Sequence, residues 1–185
     1  MLRSIAKKVY SRDNHIFFLS DINKSSIYLL ENELHKTYIN NKKANCLYLH
    51  LNTDGGCLRS AFAGATFIEN IPIDVNTIIE GNCASSGTIL SVIGKKRFMS
   101  PYSRVMIHQI SGSMEGTYEQ LLQEAQSYDM DTKELIDYYN KYTYMSRKQL
   151  QEQLKKDQWW DASTALSKGL IDDIWKGNNS IGYYL

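Results

Sequence analysis

Proline is nearly missing from this chain: only Pro72 and Pro101 occur, so no proline-rich linker divides it. An excess of one charge is missing too. Lys and Arg number 21 against 20 Asp and Glu, a formal net charge of +1 without blocks of like sign, which gives no footprint for nucleic acid or an anionic membrane. The three cysteines, Cys46, Cys57 and Cys83, are an odd count without metal-ligand spacing, so a reducing, cytoplasmic setting is the simplest expectation. No apolar run is long enough to span a bilayer. The opening MLRSIAKKVY is basic but lacks the apolar centre of a secretory signal, although a short processed leader stays compatible with it. Internal repeats and low-complexity tracts are absent. None of the four histidines has a partner at metal-ligand spacing, so neither a metal nor a cofactor is expected.

What is present is 43% hydrophobic residues over 185 positions, enough for one α/β domain across 1–185 with a sizeable core. His15 to Ser20 reads as a first strand. Asn23-Lys24-Ser25-Ser26 opens a helix to about Tyr38, with Ile27, Leu30, Leu34 and Tyr38 on one face. Cys46 to Asn52 is a second strand, ending in the turn Thr53-Asp54-Gly55-Gly56 before the helical stretch LRSAFAGATFIEN. Arg97 to Ser100 and Arg104 to His108 read as short strands about Pro101. The longest helical pattern runs from Thr117 to about Thr143, with Tyr118, Leu121, Leu122, Ala125, Tyr128, Leu135, Ile136, Tyr139 and Tyr142 recurring at three- and four-residue intervals. Such a helix either packs on its own domain or reaches out to another subunit. A short helix from Ser146 to Lys156, a loop at Asp157 to Trp160, another helix from Asp161 to Lys168 and a closing strand from Gly169 to Asp172 complete the pattern.

The chemistry concentrates at Glu80 to Gly94, EGNCASSGTILSVIG. Asp74 to Glu80 is a β-branched strand and Thr88 to Ile93 an apolar helix, so Ser85 stands in the turn between them. There, free backbone N–H groups favour the negative charge that develops in acyl transfer. The alternative is that Ser85 and Ser86 only cap the helix. His15, His35 and His50 read as structural, whereas His108 ends the apolar strand RVMIH, where an exposed imidazole could act as a base.

Gly81-Asn82-Cys83-Ala84-Ser85-Ser86-Gly87 and Pro101-Tyr102-Ser103-Arg104-Val105-Met106-Ile107-His108-Gln109 resemble the nucleophile and histidine motifs of the Clp protease proteolytic subunit (ClpP) family. Asn52-Thr53-Asp54-Gly55-Gly56 is similar to that family's Asn-Ser-Pro-Gly-Gly turn, and ALSKGLID, Ala165 to Asp172, to its Ala-x-x-x-Gly-Leu-Ile-Asp ending. The resemblance runs from about Arg12 to Trp175. It implies a crotonase-like ββα spiral with the helix at about 117–143 as a handle. It also implies a serine endopeptidase of the Clp type that hydrolyses peptide bonds through an acyl-enzyme and binds no ATP itself.

The resemblance carries the role of nucleophile to Ser85, of general base to His108 and of orienting acid to Asp157, with Asp161 as the rival for the last. It carries the oxyanion hole to the backbone N–H groups of Gly55 or Gly56 and of Ser86. An extended peptide or unfolded protein segment would lie between Cys57-Leu58 and Ile110-Ser111 as an added strand. Assembly is implied as a heptameric ring, or two rings stacked. The segment before the first strand is short, so the axial loops that meet an AAA+ unfoldase are expected to be reduced or absent. Asp54 and Ile110 stand where the family has prolines, and Lys155-Lys156 where it has an acidic-basic pair that couples the rings. The expected setting is cytoplasmic, and the shortened N-terminal segment leaves room for a plastid or phage one. Two other readings are a catalytically silent ring subunit and a crotonase-type acyl-CoA hydratase or isomerase without the triad.

Overall fold

The computed structural model describes residues 8–176, so most of the MLRSIAKKVY opening and the end of the 1–185 span lie outside the described residues. Val9–Arg12 (β1) and His15–Phe18 (β2) form an antiparallel hairpin in which Asp13 takes φ 51°, a left-handed position that aspartate tolerates in turns. The sequence had suggested a start at His15. Polar Ser11 and Arg12 mask the alternation of β1, which is held by its partner strand.

Lys24–Asn40 (α1) begins where expected, because Asn23 and Ser26 form a reciprocal capping box with both bonds at 3.0 Å. Its Leu30 and Leu34 are fully buried. Cys46–Thr53 (β3) then alternates: Leu47, Leu49 and Leu51 enter the main core, and Tyr48 and His50 take the other face. Leu58–Asn70 (α2) buries its small residues Ser60, Ala61, Gly64 and Ala65, which lets it approach α1 closely; a Cβ on Gly64 would come within 3.0 Å of Ile27.

Asp74–Ala84 (β4) is the longest strand and passes the point, Glu80, where sequence pattern ends it. Its first part pairs in parallel with β3 and with Arg97–Met99 (β5). After a bend at Gly81, φ 86°, its last residues exchange β5 for Arg104–Met106 (β6), while Cys83 still pairs with Thr53 of β3. One strand thereby serves two neighbours in succession and turns the sheet into a spiral. Gly87–Val92 (α3), between β4 and β5, is buried throughout.

Tyr118–Tyr142 (α4) opens with the Gln120 side chain accepting the Thr117 N–H at 2.8 Å. Only Leu135, Ile136 and Tyr139 of this helix are buried, while Tyr118 and Met130 are 72% and 68% exposed. The buried packing of α4 on its own domain therefore lies in its C-terminal half, while in the N-terminal half Tyr128 is half-buried against Gly112. Arg147–Gln153 (α5) follows. Trp159–Trp160 (β7), read as loop from sequence, is a two-residue strand antiparallel to β6, too short to show a period.

Ala162–Ser167 (α6) ends in a Schellman motif, with Leu170 N–H on Ala165 O and Gly169, φ 75°, donating to Leu166 O. That motif corrects the expected closing strand at Gly169 to Asp172: these residues terminate a helix, and the strand Asp173–Ile174 (β8) comes after them beside β5. Arg97 ties this corner together, bonding Asp172 and the carbonyls of Tyr142 and Gly169. The sheet order β1-β2-β3-β4-β5-β8, with β6 and β7 leaving it at the end of β4, gives the α/β spiral with a projecting handle helix that the resemblance implied.

Candidate active site

Strand register brings distant residues to one point. Thr53 pairs with Cys83 and Ala84 with Met106, so the turn after β3, the residue after β4 and the segment after β6 meet at a common edge. The antiparallel pairs Val105 with Trp160 and Met106 with Trp159 extrapolate to His108 opposite Asp157. His108 itself lies two residues beyond the end of β6, not within it as the sequence pattern suggested.

Ser85 is held at φ 53°, one of two non-glycine residues with positive φ among those described. Its N–H donates to Met106 O at 2.9 Å and its C=O accepts from Thr88 N–H at 3.0 Å, so bonds on both sides maintain a strained elbow. The elbow presents Ser85 Oγ to His108 Nε2 at 2.8 Å. On the other side of the ring, His108 Nδ1 is 3.4 Å from Asp157 Oδ1, with the two side chains 22% and 78% exposed. The second contact is longer than a charge-assisted hydrogen bond.

Asp161 is engaged elsewhere. It caps α6, accepting Thr164 N–H at 2.8 Å and the Ser163 hydroxyl at 2.9 Å. The Thr164 and Ser163 bonds hold its carboxyl down at about 2. Helix capping by Ser85 does not occur, and Ser86, the N-cap of α3, makes no side-chain cap bond; its buried hydroxyl has no partner among the described residues.

The glycine turn is fitted against this elbow. A Cβ on Gly55 would lie 2.7 Å from Ser85 Cβ, and one on Gly56 would lie 2.2 Å from Ile22 O. Gly55 donates its N–H to Thr53 Oγ1 at 3.1 Å. The N–H groups of Gly56 and Ser86 make no hydrogen bond to another described residue.

A cleft of about 320 Å³ opens beside Ser85 and His108, and Cys57, Leu58, Ile110 and Ser111 all line it. So do Arg59 from α2 and Tyr128, Asp131, Leu135 and Tyr139 from α4, which motif reasoning did not place at the site. Three of these stood in the apolar period of the long helix; a period marks a buried face but not what it faces. Arg59 is tied across to Asp131 and Glu134 of that helix. The Cys57 thiol, exposed at the cleft, is shifted down, chiefly by its bonds to Ser60.

The remaining histidines lie apart from the cleft. His15 Nδ1 and His50 Nε2 are 2.8 Å apart in the sheet, between the rings of Tyr48 and Phe17, and His35 is on the exposed side of α1. His50 Nδ1 is 3.2 Å from Glu80 Oε1 without forming a hydrogen bond to it. Among the described residues, no group of three or more His, Cys, Asp and Glu side chains is arranged for a metal ion, and no helix is long and apolar enough to cross a membrane.

The chain matches the model of a family described as Clp protease over residues 3–178. It is also 33% identical over 128 residues to the ATP-dependent Clp protease proteolytic subunit 1 of Chlamydia muridarum (strain MoPn / Nigg), a match covering 67% of either chain. With nearly the whole length matched, and with the spiral, elbow and handle helix described above, this chain belongs to the Clp protease family.

Proposed function

We propose that this chain, acting as one domain, is a serine endopeptidase subunit that cleaves peptide bonds through an acyl-enzyme. Ser85 Oγ attacks the scissile carbonyl while His108 Nε2 accepts its proton, later returned to the leaving amine, and Asp157 orients the ring through Nδ1. The observation that carries this reading is the 2.8 Å contact between Ser85 Oγ and His108 Nε2 at a strained elbow facing a cleft.

The oxyanion donors in this reading are the N–H groups of Gly56 and Ser86. Gly55 is set aside as a donor because Thr53 already takes its N–H, and its role is the close approach to Ser85 that only a glycine permits. The substrate is an extended peptide laid between Cys57-Leu58 and Ile110-Ser111, where main-chain pairing tolerates many sequences. The exposed apolar side chains Tyr118, Leu122 and Met130 of α4 support assembly into a ring, with a second ring stacked through the handles, and the chamber so formed would take short or unfolded chains. An AAA+ unfoldase partner follows from the family alone.

A fluorophosphonate probe is expected to label the protein at Ser85, and Ser85→Ala to abolish both labelling and hydrolysis of a fluorogenic peptide. Ser86→Ala is expected to keep the label. Labelling that survives Ser85→Ala and disappears in Ser86→Ala would move the nucleophile by one residue and refute the assignment. Light scattering should give a multiple of the 21.3 kDa chain; a monomer at micromolar concentration would refute the ring.

A further inference from the structure

The peptide unit between Ser85 and Ser86 carries two groups of opposite direction. Its C=O points into the protein, and its N–H, antiparallel to the carbonyl in a trans peptide, points the other way. Two donors act on that carbonyl directly, and a third hydroxyl stands behind one of them. Thr88 Oγ1 donates to Ser85 O at 2.6 Å, in addition to the Thr88 backbone N–H at 3.0 Å. Tyr139 OH lies 2.6 Å from the same Thr88 Oγ1. A threonine hydroxyl has one hydrogen. Because it is spent on Ser85 O, Tyr139 is the donor, and the chain runs Tyr139 O–H to Thr88 O–H to Ser85 C=O.

Both side chains are enclosed, Thr88 at 0% and Tyr139 at 1% exposure, and burial pushes the phenol above its ordinary range, so it stays protonated and able to donate. Water does not compete for these bonds. The relay also spans elements: Thr88 is on α3, directly after the elbow, and Tyr139 is on the buried half of α4, where it also lines the cleft. A second tie runs in parallel, with Tyr138 OH donating to Ile89 O at 2.9 Å.

We propose that Thr88 and Tyr139 are positioning residues, which fix the Ser85–Ser86 peptide plane and so aim the Ser86 N–H at the oxyanion. The inference rests on the peptidase reading above. It adds to it that the handle helix sets the angle of an oxyanion donor through two hydroxyls. A peptide plane bonded only by the Thr88 N–H could rock about its ends; the second, shorter bond to the same carbonyl removes that freedom. Stabilisation of a developing oxyanion depends steeply on donor direction, so rocking lowers the rate of the chemical step and leaves ground-state peptide binding alone.

The test uses the full chain and four variants. Thr88→Val keeps the shape and deletes the hydroxyl; it is expected to lower kcat about tenfold at unchanged KM. Affinity for a peptide aldehyde, whose hemiacetal oxygen occupies the oxyanion position, should fall by the same factor. Tyr139→Phe should lower kcat about threefold, since Thr88 keeps its own bond, and Thr88→Ser should restore the parent rate. The double variant Thr88→Val with Tyr139→Phe removes both partners, so neither is left unpaired in the core, and its melting temperature should return towards the parent value while kcat stays low. A double variant that recovers rate together with stability would show the hydroxyls to be purely structural. Unchanged kcat in Thr88→Val, with an active parent, would overturn the inference alone, whereas a parent that neither takes the probe at Ser85 nor cleaves peptide would sink the peptidase reading and this inference with it.

Discussion

Replacing Asp157 with alanine removes a charge whose effect can be bounded from the geometry. In the transition state His108 is an imidazolium, and a carboxylate oxygen 3.4 Å from its Nδ1 attracts it. Coulomb's law gives about 1.2 kcal/mol at that distance in a water-like dielectric and about 5 kcal/mol at an effective dielectric of 20. The carboxylate is 78% exposed and the ring only 22%, so solvent screens the pair from one side and the lower part of that range applies. A loss of about 2 kcal/mol corresponds to roughly 30-fold in kcat/KM. Asp157→Asn should do worse than alanine, because an amide that donates to Nδ1 favours the tautomer with its hydrogen on Nε2, which cannot accept from Ser85. Asp161→Ala is the control; its carboxylate caps α6, and activity should stay within about twofold of the parent. The assay is hydrolysis of a fluorogenic peptide at saturating and limiting substrate, with probe labelling rates at Ser85 measured in parallel. Asp157→Ala within threefold of the parent, or Asp161→Ala more damaging than Asp157→Ala, would refute the assignment of the orienting acid.

Two further changes test the frame around the site. Burial first, and then the neighbouring His50, lower the His15 pKa from 6.5 to about 4, so the unfolded chain takes up a proton that the folded one refuses. Stability from this group is whole above about pH 6.5 and is lost as pH falls towards 4, by about 3 kcal/mol. Denaturant melts across that range should show the decline, and His15→Phe should flatten it; an equally steep decline in the variant would remove His15 as its cause. Gly56→Ala would place a Cβ 2.2 Å from Ile22 O at φ 141°, opening the bridge in which Cys57 N–H donates to Ile22 O at 2.8 Å. The expected cost is about 2–4 kcal/mol of stability, with hydrolysis falling about 100-fold or more as the Gly56 N–H moves. A variant with unchanged melting temperature and rate would deny the turn both roles.

Periodicity and punctuation in the sequence determine most elements. The leucines of Cys46–Thr53 alternate, Asn23 and Ser26 cap α1, and the long 3.6-residue pattern of α4 stands within a residue of its observed ends. These are local properties, written by backbone geometry into neighbouring side chains. Motifs also single out Ser85, His108 and Asp157 as candidates by type and order. Three short strands are different: β1, β7 and β8 carry too little apolar alternation of their own to stand out, and exist because a partner strand is present.

What only tertiary structure decides is distance. That β4 exchanges β5 for β6 at its end, that β7 pairs antiparallel to β6, and that α4 brings Tyr139 against Thr88 are outcomes of sheet twist and core packing summed over the chain. Those outcomes set the 2.8 Å from Ser85 to His108 and leave Asp157 exposed at 3.4 Å. The physical reason is that side-chain identity fixes which bond can form, while the free energy to hold two groups at bonding distance comes from the buried surface of every element between them.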